Sequence, residues 1–174
     1  MKRFLLLLLL ACGVAHANPV TDLYGALVQD EGPFSIEEVT AQTPSPLLTG
    51  YQAKTRKCEL LVNTNTFQAT GSWAIFQVVH EVGHCKALRA GVTIIGEPNQ
   101  NDEAIADMFA VAWMMRNMSE LLPDALNQLI EHRKIDRMID QRYNTFTAIQ
   151  RALRIYPQFP GADPWAFTIK QFQQ

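Results

Sequence analysis

Cysteine and histidine are scarce in this chain, with three and four among 174 residues. So few cysteines exclude a small domain stapled by many disulfides, and two or three cannot build a cysteine-rich zinc site alone. Charge of either sign is not in excess: 15 basic side chains face 17 acidic ones, a net of −2. Electrostatic binding of nucleic acid wants a basic face, so no nucleic-acid partner is expected. Charged residues make up 18% and hydrophobic ones 48%, which excludes a disordered chain by composition. Beyond the N-terminus no apolar run approaches the ~18 residues of a membrane helix, so no membrane span is expected. Repeats and low-complexity tracts are also missing. The length suits one domain of about 100–200 residues.

Lys2 and Arg3 precede an apolar run from Phe4 to Ala11, and Ala15-His16-Ala17 offers a small-x-small cleavage site. This is the pattern of a secretory signal peptide over residues 1–17, leaving one domain over 18–174. Losing Lys2 and Arg3 leaves 13 basic against 17 acidic side chains. Leu9-Leu10-Ala11-Cys12 also resembles a lipobox, in which Cys12 would carry a lipid anchor. The expected location is periplasmic or secreted, or lipid-anchored in the cell envelope. With Cys12 in the signal, Cys58 and Cys85 remain. An even pair in an oxidising compartment reads as a disulfide, closing a loop of about 28 residues and adding ~2–4 kcal/mol. Two separate buried thiols are the alternative.

Pro33 to Thr40 and Cys58 to Asn63 are candidate strands, with Thr43-Pro44-Ser45-Pro46 as a loop between them. Helices are expected from Trp73 to about Ala90, capped by Ser72 and stopped by Gly91, and from Glu103 to about Met118 after Asn101 or Asp102. A third runs from Asp124 to about Lys134, after Pro123. A last amphipathic helix spans Asp136 to Tyr156, ended by Pro157. The tail reads as irregular structure or a final turn. The fold class is therefore α+β: a mostly helical domain with a small β element before the first long helix.

The chemistry sits in His80-Glu81-Val82-Gly83-His84. On a helix, positions i and i+4 share a face, so both imidazoles can aim at one point. Two imidazoles suit Zn²⁺, and a glutamate beside the first can take a proton from metal-activated water. A helix that merely carries two histidines is the plain alternative. Context argues against it: Trp73, Ala74, Ile75, Phe76, Val78 and Val79 make the helix apolar, where unpaired imidazole and carboxylate are costly. Glu103 and Asp107, four apart on the next helix, supply further carboxylates.

H-E-x-x-H, eighteen residues and then E-x-x-x-D resembles the gluzincin class of zinc metallopeptidases, the thermolysin-like arrangement. The resemblance implies His80, His84 and Glu103 as zinc ligands, Glu81 as general base, and Asp107 as the acid that orients one histidine. Val79 to His84, with Asp102 to Ala110, is similar to a family of uncharacterised bacterial metallopeptidases. Asp140-Gln141-Arg142-Tyr143-Asn144 resembles a downstream stretch of that family. The likeness implies a minimal zincin-like domain acting on a peptide or protein substrate. It departs from metzincins, with Ala87 and Ala90 at the places of their extension, and Ala104 stands where thermolysin-like enzymes often have asparagine.

A peptidase also needs a group to stabilise the oxyanion, for which His132, Arg142 and Tyr143 are candidates. Each has a structural alternative: His132 lies in the charged run Glu131-His132-Arg133-Lys134, Arg142 can form an ion pair, and Tyr143 can be a core aromatic. Met108, Met114, Met115, Met118 and Trp113 read as core. Asn117-Met118-Ser119 matches the glycosylation sequon but falls in an expected helix. Two functions follow: a secreted zinc peptidase, or a non-catalytic zinc-binding interaction module of the cell envelope. Oligomeric state has no signal in the sequence.

Overall fold

The computed structural model describes residues 34–39, 47–52, 57–63, 71–93 and 100–173. The expected signal peptide, with Cys12, and the loop expected over Thr43–Pro46 lie outside the described residues. Three strands, β1 (Phe34–Val39), β2 (Leu47–Gln52) and β3 (Lys57–Asn63), form a sheet in the order β1-β3-β2. β3 pairs parallel with β1 and antiparallel with β2, so β1 and β2 are the edges among the described residues. Alternation in β3 buries Cys58, Leu60 and Val62 on one face. Strands β1 and β3 match the sequence reading to within a residue or so. β2 is an addition: Leu47–Gln52 holds Gly50 and follows Pro46, which hid it.

Five helices follow: α1 (Gly71–Arg89), α2 (Gln100–Asn117), α3 (Leu122–Ile139), α4 (Phe146–Ile155) and α5 (Pro164–Phe172). The domain is mostly helical with a small β element before its first long helix. No helix among the described residues is long and apolar enough to cross a membrane.

α1 and α2 form the centre. Ile75, Phe76, Val78, Val79 and Val82 are buried on α1, and α2 is buried from Ala104 to Met114. Apolar residues on every side are what a central helix requires. The two helices approach very closely at Gly83, where an added Cβ would stand 2.8 Å from the Ala106 Cα. That contact needs a residue without a side chain. Gly91, at φ +66°, closes α1: the Val92 N–H reaches the Ala87 carbonyl at 3.0 Å in a Schellman pattern. Cys58 and Cys85 form a disulfide, with Cα atoms 5.8 Å apart, which ties β3 to α1 one residue after His84.

Several boundaries correct the sequence reading. Ser72 lies within α1 and donates to Asp124 on α3 instead of capping. Asn101 and Asp102 are already in the first turn of α2. The helix expected over Asp136–Tyr156 is not continuous. α3 runs through Lys134 to Ile139 and stops at Asp140, whose backbone is extended at φ −146° and ψ 124°. The Asp140 carboxylate accepts from the Arg142 backbone N–H at 2.9 Å, starting a 3-10 turn over Gln141–Tyr143. A short acidic side chain competing for backbone donors ended the helix. The tail is no mere turn. Asp163 caps the nine-residue α5, accepting from the Ala166 N–H at 2.8 Å, and Pro164 fits its first turn. Proline there opens a helix where irregular structure or a final turn was expected.

Gly83→Ala is expected to lower stability by about 1–3 kcal/mol, since α1 and α2 must move apart. It should also shift Glu103, which sits one turn before Ala106, relative to His80 and His84. Thermal unfolding with and without added Zn²⁺ measures both effects. An unchanged variant would show that the close approach is unnecessary.

Candidate metal centre

α1 presents His80, Glu81 and His84 together, and one donor atom from each lies within 4.8 Å of the others. This group, with His80 buried and Glu81 and His84 half-buried, could hold a metal ion. The two imidazoles meet through Nε2, 3.0 Å apart. Glu103 arrives from the first turn of α2: its oxygens stand 3.4 Å from His80 Nε2 and 3.7 Å from His84 Nε2. A carboxylate also stands behind each imidazole. Asp107 Oδ1 is 2.7 Å from His80 Nδ1, and Asp102 Oδ1 is 3.0 Å from His84 Nδ1. The Asp107 approach lies off the ring's N–H direction, so it is an ionic contact more than an aligned hydrogen bond.

These carboxylates fix the tautomers. A carboxylate at Nδ1 favours the proton there, which leaves the Nε2 lone pair for the front of the ring. At 3.0 Å a proton on one Nε2 can be shared with the lone pair of the other as a hydrogen bond, and a metal ion can take that proton's place. Charge points the same way. Glu81, Asp102, Glu103 and Asp107 surround the two imidazoles, and Arg133 is ion-paired with Glu103 and Asp107. Burial lowers the His80 pKa, but the charges of Asp107 and Glu103 overcome it and push the value up to about 10. His84 is raised as well: burial opposes the shift, and Asp102, Glu81 and Glu103 together outweigh it. The negative charge that holds a proton on the imidazoles attracts a metal cation as well, which must displace that proton to bind.

Arg133 locks the second helix. Its Nε donates to Asp107 Oδ2 and its Nη2 to Asp107 Oδ1, both at 2.8 Å, and Nη2 also reaches Glu103 Oε2 at 3.0 Å. The Thr145 hydroxyl donates to Asp107 Oδ2 at 2.6 Å. One planar fork therefore orients both the acid behind His80 and the carboxylate beside it. Burial would raise the Glu103 pKa, yet His80, His84 and Arg133 bring it down to about 2. Asp107, fully buried, is held well below its ordinary range against the same burial penalty by Arg133 and His80.

The remaining candidates fall at the margin. Tyr143 lies against the Arg133 guanidinium, 5.0 Å from ring centroid to Cζ. Burial first, then the charge of Glu103, raises its hydroxyl pKa, which places it in the field of the cluster. Arg142 pairs instead with Asp140, Nε to Oδ2 at 2.7 Å, as an ion pair at the 3-10 turn. His132 is exposed and stacks on Trp73 at 4.7 Å. Asn117 ends α2 and donates to the Trp113 carbonyl at 2.9 Å.

Arg133, Asp102, Thr145 and Gly83 were not singled out by the sequence reading as site residues. Arg133 had a signal: it continues the buried stripe Leu122, Ala125, Leu129 at helical spacing, so a charged side chain points inward from an otherwise apolar row. Asp102 directly precedes Glu103 but reads first as a helix cap.

Comparison with protein-family models, curated proteins and solved structures gives no match.

Proposed function

We propose that the protein is a zinc-dependent peptidase, exported to the periplasm or beyond, with His80, His84 and Glu103 as ligands. The observation that carries this is the convergence of two imidazoles and a carboxylate: the Nε2 atoms lie 3.0 Å apart, with Glu103 Oε2 3.4 Å from His80 Nε2 and Glu103 Oε1 3.7 Å from His84 Nε2. A tetrahedral ion with bonds of ~2.0–2.1 Å sets its ligand atoms about 3.3 Å apart. Two imidazoles, neutral once a metal displaces their Nε2 protons, and one carboxylate also match the donor chemistry of catalytic zinc. Zn²⁺ held there would polarise a water molecule and lower its pKa toward ~7. Glu81 takes the proton of the attacking water and returns it to the leaving amine. Tyr143 is the better placed of the candidates to donate to the oxyanion, since Arg142 is engaged with Asp140. The disulfide, tying β3 to α1, suits an oxidising compartment.

The second reading, a zinc-binding interaction module, is favoured by how fully the cluster is braced: Arg133 alone joins two of its carboxylates. The site's plan argues for catalysis. A purely structural zinc site takes four protein ligands, whereas Glu81 is available as a base beside three. The test is cleavage of an unfolded protein substrate. Activity should vanish with a chelator and return with Zn²⁺. Zinc binding without cleavage across a broad substrate panel would favour the interaction module.

A further inference from the structure

Two carboxylates stand close enough to the imidazoles to compete for a metal ion, and distance alone does not choose between them. Glu81 shares the compact donor group with His80 and His84, while Glu103 approaches both Nε2 atoms from α2. Each is tethered differently. Glu103 is held by Arg133 at 3.0 Å. Glu81 is held from the sheet: the Thr49 hydroxyl, on edge strand β2, donates to Glu81 Oε2 and lies 3.3 Å from the Glu81 backbone carbonyl. A hydroxyl has one proton, and the charged carboxylate is the stronger acceptor, so Oε2 takes it.

We propose that Thr49 is a positioning residue that holds Glu81 against β2 and so keeps it a base instead of a fourth ligand. The inference rests on the metal site proposed above. If Glu81 ligates, three helix-borne ligands become four and the position for a reacting water closes. Holding one oxygen on β2 leaves the other free to accept a proton. The register explains the choice of residue. Thr49 pairs with Leu60 of β3, in the middle of β2, where the sheet meets α1. The arrangement therefore needs β2, the strand absent from the sequence reading.

The experiment uses the full chain loaded with Co²⁺, whose visible spectrum reports coordination, and acetohydroxamate as a probe for open positions. Wild type and Thr49→Ser should bind Co²⁺ alike and change spectrum on adding acetohydroxamate. Thr49→Val, which keeps shape without the hydroxyl, should bind Co²⁺ at least as tightly. Its spectrum should differ from wild type before the probe is added, and it should take the probe about 10-fold more weakly or worse. Thr49→Val with wild-type spectrum and probe affinity would overturn the role of Thr49 and leave the metal site standing. Weaker Co²⁺ binding by Thr49→Val would also overturn it, since that marks damage to the site and not release of a ligand. A wild type that binds no Co²⁺ would overturn both.

Discussion

Glu81→Gln is expected to hold its metal, keep its fold and lose peptidase activity by about 10²–10⁴-fold. The substitution preserves shape and one oxygen, so the Thr49 hydroxyl keeps an acceptor. It removes the ability to take a proton. Loss of activity with metal retained separates the base from the ligands, because His80, His84 and Glu103 supply the coordination in this account. Cleavage assays and zinc content on the same samples decide it. A variant that cleaves as fast as wild type would show that Glu81 is not the base. A variant that loses its zinc would make Glu81 a ligand.

Asp107→Asn is the second large effect, and it falls on stability. Asp107 is fully buried and accepts the Arg133 fork, the Thr145 hydroxyl and the His80 contact together. Removing its charge leaves a buried guanidinium with Glu103 and the longer Asp136 contact at 3.6 Å as its acidic partners. Breaking a buried pair on one side costs about 3–5 kcal/mol. The pH dependence has a definite sign. The folded pKa of Asp107 is depressed, so its contribution is fully present above the unfolded value of 3.8 and is lost as pH falls through the folded one. The gap between wild type and variant should therefore be widest near neutral pH and narrow in acid. Urea unfolding of the two proteins at neutral and acid pH measures this. A constant gap would show that charge on Asp107 is not what the fold uses.

Local features of this chain were legible in its sequence, and long-range ones were not. His80 and His84 share a helix, so their spacing alone predicts convergence, and the Nε2 atoms do meet. Glu103 and Asp107 share the next helix, so their relative placement follows as well. What brings the two helices within reach is Gly83 against Ala106, a contact between residues 23 positions apart that periodicity does not encode. Arg133 and Thr49 come from elements far along the chain on either side, and each reaches the cluster only because α3 and β2 pack where they do. Asp140 shows the opposite failure. The amphipathic pattern carries a helix across it, over Asp136–Tyr156, yet its carboxylate ended the helix and organised the Gln141–Tyr143 turn. Asp163 and Pro164 repeat the lesson at α5, where a cap and a first-turn proline open a helix in a segment rich in breakers.

The most direct test of the central claim is elemental analysis of the purified chain beside His80→Ala. His80 supplies one Nε2 to the converging donors and carries Asp107 behind it. The account predicts about one Zn²⁺ per wild-type chain, bound through two imidazoles and a carboxylate, and little or none in the variant. Full zinc in His80→Ala, or none in a folded wild type given Zn²⁺, would contradict it.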